Sequence, residues 1–326
     1  MNLKKTSVMK LFCAVIFFAS VVASISICCC DTLPIEIQKD VIRRYDNASQ
    51  LTNDLYNFFG IQKNETITED KTKQLKDAVL FSDCDGVLQD NADQSLIGNR
   101  IWQFIKGIKD AYKRQIIIWE SPKSIVEPEI VDMTQLLKTY DILRLVVTQC
   151  TSDPKTQYRR ESILEKLGYS FKDNILESDK TFLENLKQIQ PNCQLDLKPG
   201  QENITPPRFS NGIVYTGSAT KEATFEWLFE LIKSSGKFCD ITDVKFAFID
   251  DKFENIEEFC KVCHKKGVKK YRAYHYTNEQ KQSSTVPPTD KSIEKIQKVC
   301  LQYEKFIPYK DACFLDKMFP LIKLER

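Results

Sequence analysis

Histidine is almost missing from this chain: of 326 residues only His264 and His275 carry an imidazole. Neither follows a strand-end serine pattern, which argues against a Ser-His-Asp hydrolase. A surplus of one charge is missing too, with Lys+Arg at 47 against Asp+Glu at 45 and the signs interspersed. Nucleic-acid binding needs a basic surface, so no nucleic-acid partner is expected. No internal repeat appears, and the chain must be read element by element.

What is present is an ordinary globular composition, 42% apolar and 28% charged, from which a packed core is expected. Lys4, Lys5 and Lys10 precede a charge-free apolar run over residues 11–27. A basic head before an apolar middle is the layout of a secretory signal peptide over residues 1–27, so an exported protein is expected, periplasmic, secreted or associated with the outer membrane. The other reading of the run is a retained anchor, and Cys28-Cys29-Cys30 behind it offers lipid attachment. In either case the membrane is met through this segment alone. Its removal takes away three lysines and no acid, leaving Lys+Arg at 44 against 45 Asp+Glu. Export would favour pairing of the eight remaining cysteines: Cys84, Cys150, Cys193, Cys239, Cys260, Cys263, Cys300 and Cys313.

Residues 28–76 read as a polar, helical lead-in. Five short apolar runs then follow, AVLFS (78–82), QIIIW (115–119), LRLVV (143–147), GIVYT (212–216) and KFAFI (245–249), each of the buried-strand type. Amphipathic helices separate them. Ile101, Phe104, Ile105, Ile108 and Tyr112 mark one, Phe225, Leu228, Phe229 and Ile232 another, and a third runs from Pro154 to a stop at Gly168. Strands alternating with helices predict an α/β fold, a mostly parallel sheet sandwiched by helices over residues 77–277. Residues 89–139 read as a small helical cap insertion, 179–210 as an irregular proline-rich excursion, and 278–326 as a linker and helical extension.

Several of these strands end in a polar residue. Asp83-Cys84-Asp85-Gly86-Val87 follows the first, Thr148 the third, and Asp250-Asp251 the fifth, while Lys221 approaches a helix after GIVYT. In an open parallel sheet the carboxyl ends of the strands line the ligand crevice. Crowded carboxylates raise one another's pKa unless a cation neutralises them, and oxygen-only ligation with open positions suits Mg²⁺. One carboxylate can attack phosphorus, and an acid two residues on can protonate the leaving oxygen and then activate water. A hydroxyl and an ammonium would hold the phosphate oxygens.

Asp-x-Asp-x-Val, Thr, Lys and Asp-Asp, in this order and strand context, resemble the four signature motifs of the haloacid dehalogenase-like superfamily. The stretches TQCTSDPKTQYRRESILEKLGYSF, NGIVYTGSATKEA and FIDDKFENIEEFCKVCHKKGVKKYRAYHYT resemble more narrowly a branch of secreted bacterial members without an assigned substrate. The resemblance implies a Rossmann-like core and Mg²⁺-dependent phosphatase activity on a phosphorylated substrate. It makes Asp83 the nucleophile and a metal ligand, and Asp85 the acid/base whose carbonyl also meets the metal. Thr148 would bind the phosphoryl oxygen, Lys221 would neutralise its charge, and Asp250 with Asp251 would complete the metal site, assisted by Asn255 through a water. Val87 stands where threonine is frequent, and Glu222 where a small residue is usual; neither removes a required group. The rival expectation is a catalytically inactive secreted scaffold used for binding.

Cys260-Lys261-Val262-Cys263-His264 has the spacing of a c-type haem attachment. Ile256, Phe259, Cys260 and Cys263 nevertheless fall on one apolar helical stripe, with Gly267 as its stop, so the thiols are expected in the core, His264 at the edge of the stripe, and no haem is expected. A redox Cys-x-x-Cys belongs at a helix N-terminus, whereas this pair lies well inside one.

Overall fold

The computed structural model describes residues 41–62, 66–91, 105, 121, 123–150, 154–173, 207–217, 219–238, 240–277, 291–303 and 307–318. The chain divides into two compact units, 1–38 and 39–326, of which the first lies outside the described residues, together with the expected signal segment.

Nine strands and eight helices are described in the second unit. The strands are β1 (Ile42–Tyr45), β2 (Ala78–Ser82), β3 (Gln89–Asn91), β4 (Lys123–Ile125), β5 (Leu143–Thr148), β6 (Arg208–Ser210), β7 (Ile213–Tyr215), β8 (Lys245–Asp250) and β9 (Lys270–Tyr276). The helices are α1 (Ala48–Phe59), α2 (Glu69–Leu75), α3 (Pro128–Thr139), α4 (Pro154–Lys166), α5 (Lys221–Ser234), α6 (Phe253–Lys265), α7 (Lys291–Gln302) and α8 (Tyr309–Met318). Seven strands form one sheet in the order β1-β9-β8-β2-β5-β7-β6, parallel throughout except for the edge strand β6. The α/β expectation therefore holds, and β2 occupies the centre.

Strand alternation divides the core into two faces. Phe246 and Phe248 of β8 join Phe81 of β2 in a phenyl cluster with Phe225 and Phe229 of α5 and Phe259 of α6; Phe225 and Phe248 have ring centroids 4.9 Å apart. On the other face, Leu80, Ala247 and Ile249 pack with Leu51 and Leu55 of α1, Met133 and Leu137 of α3, and Leu164 of α4. Covered on both sides, β2, β5 and β8 are almost wholly buried, which is why their sequences are continuous apolar runs.

Four expectations change here. The lead-in over 28–76 is not purely helical: β1 forms the sheet edge against β9, and α1 packs into the core behind it. Arg43 and Arg44 make β1 look polar, yet charged side chains are what blunt an exposed edge. Residues 128–139, placed in the cap insertion, form α3, which packs on β5 and α1; the ends of the insertion pair as a separate antiparallel hairpin, β3 with β4. Cys84, Cys260, Cys263, Cys300 and Cys313 are free thiols, so the pairing that export would favour is absent from them. The run 115–119, the helix around residues 101–112 except buried Ile105, and residues 179–206 of the excursion 179–210 lie outside the described residues, while its last three residues are not irregular but form the edge strand β6.

Candidate active site

Parity along the strands carries carboxylates to one place. Asp250 continues the alternation of Phe246 and Phe248, and Asp83 continues that of Phe81 one residue past β2, where its N–H donates to the Ile249 carbonyl at 2.8 Å. Both carboxylates are buried, and both belong to the face that α5 covers. Thr220 caps α5, its Oγ1 accepting from Ala223 N at 3.2 Å, so Lys221 stands at the first helical position. Its Nζ donates to Asp83 Oδ1 at 2.8 Å and to Asp250 Oδ2 at 2.5 Å, with 1% of the side chain exposed. A lysine enters a core when it is paired; here the two carboxylates hold its pKa above the ordinary value despite the cost of burial.

Asp250 is held from several sides. Lys252 N donates to Oδ1 at 2.8 Å, and Asn255 Nδ2 reaches both oxygens at 3.0 Å. Asn255 thus acts on the site directly, where a water-bridged role was expected. Oxygens of Asp83, Asp250 and Asp251 lie within 4.8 Å of one another, close enough to share one cation. Lys221 pairs with Asp83 and Asp250, and the positive charge of Lys252 acts on Asp251. A set of oxygen-only donors fits a hard divalent ion. Burial first, then repulsion from Asp250, pushes the Asp83 carboxyl up to about 6 against the pull of Lys221.

Asp85 sits differently. Gly86, at φ +82, turns the chain sharply behind it, a conformation that glycine adopts without strain. Arg160 of α4 grips the Asp85 carboxylate with both terminal nitrogens, Nη1 to Oδ1 at 2.7 Å and Nη2 to Oδ2 at 3.1 Å, and Gln89 Nε2 donates to Oδ1 at 2.8 Å. Desolvation by the surrounding protein works to raise its pKa, yet 55% of the side chain is exposed, and Arg160, helped by Lys123, holds the carboxyl well below the usual range. Thr148 ends β5 beside β2 and is buried, with no direct bond to the other site residues among the described ones.

Sequence reasoning missed Arg160, Gln89, Glu258 and Thr216. Glu258 of α6 accepts from Glu222 N at 2.9 Å and so caps α5, giving the unusual position 222 a backbone use. Thr216 follows β7; its N–H donates to the Thr148 carbonyl at 3.0 Å, and its fully buried hydroxyl has no hydrogen-bond partner among the described residues. One signal existed for Arg160: it lies four residues before core residue Leu164, on the inward face of α4. The haem-like spacing comes apart in space, since Cys260 and Cys263 are buried in the core while His264 is exposed to solvent, not lodged at the edge of the stripe.

No known family model matches the chain, and no curated protein matches it.

Proposed function

We propose that this protein is an exported phosphohydrolase of the haloacid dehalogenase-like type, transferring a phosphoryl group to Asp83 with Mg²⁺ as cofactor. One observation carries the reading: at the carboxyl ends of adjacent parallel strands, Lys221 ties Asp83 to Asp250 within a cluster of three carboxylates whose oxygens lie within 4.8 Å of one another.

Asp83, Asp250 and Asp251 would hold the ion, which supplies neutralisation of phosphoryl charge when bound. Lys221 keeps Asp83 aligned and ionised, and its ammonium stays protonated beside the incoming phosphate. Asp83 meets Lys221 through Oδ1, leaving its other oxygen for phosphorus. Thr148, from the neighbouring strand end, would take a phosphoryl oxygen. Asn255 and the Lys252 N–H fix Asp250, so the acidic cluster is set before any ligand arrives.

The test is phosphate release from a broad panel of phosphorylated compounds, with Mg²⁺ or EDTA, for the wild type and Asp83→Asn. Turnover should require Mg²⁺ and fall by more than about 1,000-fold in the variant. Turnover indifferent to both changes would sink the mechanism, and none at all would favour the binding-scaffold alternative.

A further inference from the structure

His275 carries one of the two imidazoles in the chain, and the phosphohydrolase reading gives it no part. The ladder of β8 with β9 sets it directly beside Asp250, so its ring belongs to the face of Phe246, Phe248 and Asp250. It is buried, leans on the Phe253 ring with centroids 5.5 Å apart, and reaches past the end of β8 to the Asp251 carbonyl, which lies 3.1 Å from Nε2. A carbonyl oxygen only accepts, so Nε2 carries the proton in that contact.

Asp251 is the carboxylate of the three that most needs such support. Asp83 and Asp250 are buried and tied to Lys221, while Asp251 is part-buried and stands one residue beyond the strand. Its aim depends on the backbone that follows. The peptide joining Asp251 to Lys252 has its N–H donating to Asp250 Oδ1 at 2.8 Å and its carbonyl accepting from His275. N–H and C=O point in opposite directions across a trans peptide, so this one plane is gripped at both edges. Held there, it fixes the direction in which the Asp251 side chain leaves the chain, relative to the Asp250 carboxylate on the plane's other edge. Mg²⁺ demands near-octahedral oxygens at about 2.0–2.1 Å, and a ligand that must first be ordered lowers affinity.

We infer that His275 is a positioning residue for Asp251: by holding the Asp251 carbonyl it presets the third carboxylate of the acidic cluster and so sets the affinity for Mg²⁺. The inference rests on the metal-dependent phosphohydrolase reading and adds no reacting group to it. Outer hydrogen bonds of this kind orient the groups that meet a metal, and their removal costs about 10–100-fold in metal affinity.

Isothermal titration calorimetry of Mg²⁺ into the full chain, with no substrate present, reads the affinity directly, and melting in EDTA checks that each variant is folded. His275→Leu, which fills the space without a donor, should weaken binding at least about tenfold. His275→Gln, whose Nε2 can reach the carbonyl, should restore most of that loss, a rescue that a packing role would not give. Equal affinity in the wild type and a folded leucine variant overturns the inference and leaves the phosphohydrolase reading standing; so does a glutamine variant as weak as the leucine one. Should the leucine variant not fold, the wild type decides: with the ring neutral, heteronuclear NMR must place the His275 proton on Nε2, and that resonance must move as Mg²⁺ is added. A proton on Nδ1, or a resonance indifferent to Mg²⁺ that calorimetry shows bound, overturns the inference. No Mg²⁺ binding by the wild type overturns it together with the metal-dependent reading.

Discussion

Asp83 links the electrostatics of the site to the stability of the molecule. Its carboxyl is pushed up to about 6, above an unfolded value near 3.8, so between those limits the folded chain keeps a proton that the unfolded chain has released. Stability must therefore fall as pH rises from about 4 to about 6 and remain reduced above that window. Asp83→Asn cannot ionise. In EDTA its melting temperature should exceed that of the wild type above pH 6, with the gap opening across the window; Mg²⁺ should close it. A gap that does not vary with pH would contradict this account. Of the residues involved, the acids were legible as a set, because Asp83, Asp85 and Asp250-Asp251 fall in order at the ends of apolar strands. Arg160 and Glu258 were not, because each acts on a partner from a distant element, and no local pattern encodes such pairing.

At the scale of the element, the phenyl cluster gives α6 its place and hence gives Asn255 its aim at Asp250. Phe259 is fully buried, with ring centroids 5.2 Å from Phe225 and 5.3 Å from Phe248. Phe259→Ala should cost about 3–5 kcal/mol in chemical denaturation, since the surrounding rings cannot close on the cavity. A loss below about 1 kcal/mol would mean that the cluster repacks freely. Strands β2, β5 and β8 were legible because both their faces are buried and only apolar residues satisfy both. Strands β1 and β9 were not. β1 lies at the edge, and the sequence KYRAYHY of β9 spreads charge over residues whose burial rises only towards the C-terminal end, so neither shows an apolar run or a clean alternation. Helix α3 was misread for a related reason: its apolar stripe of Ile130, Met133 and Leu137 suits a cap or a core equally, and its partners on α1 and β5 decide between them.

For the molecule as a whole, three thiols report on global integrity. Cys84, Cys260 and Cys263 are buried and free, and burial pushes Cys260 up to about 12 and raises Cys84 and Cys263 as well. They should resist alkylation by iodoacetamide in native buffer and become labelled only at the rate of unfolding, whereas Cys300 and Cys313, half-buried on α7 and α8, should react first. Peptide mapping by mass spectrometry reads each site separately; early labelling of Cys84 would show that the turn after Asp83 opens while the rest of the fold stays closed.

The sheet order carries a consequence for how the chain comes into being. β1, the first described strand, has a single neighbour, β9, which is the last, and β2 lacks one flank until β8 is in place. A nascent chain emerging from its N-terminus would hold β1 without a partner until residues 270–276 had been made. Its principal contacts are distant in sequence, so the fold pays its loop-closure entropy late, and formation is expected to be slow. Such a chain stays open through most of its synthesis, the condition in which a polypeptide can still be threaded through a narrow passage, and its acids, at the ends of β2 and β8, come together only once residues 245–251 have been made.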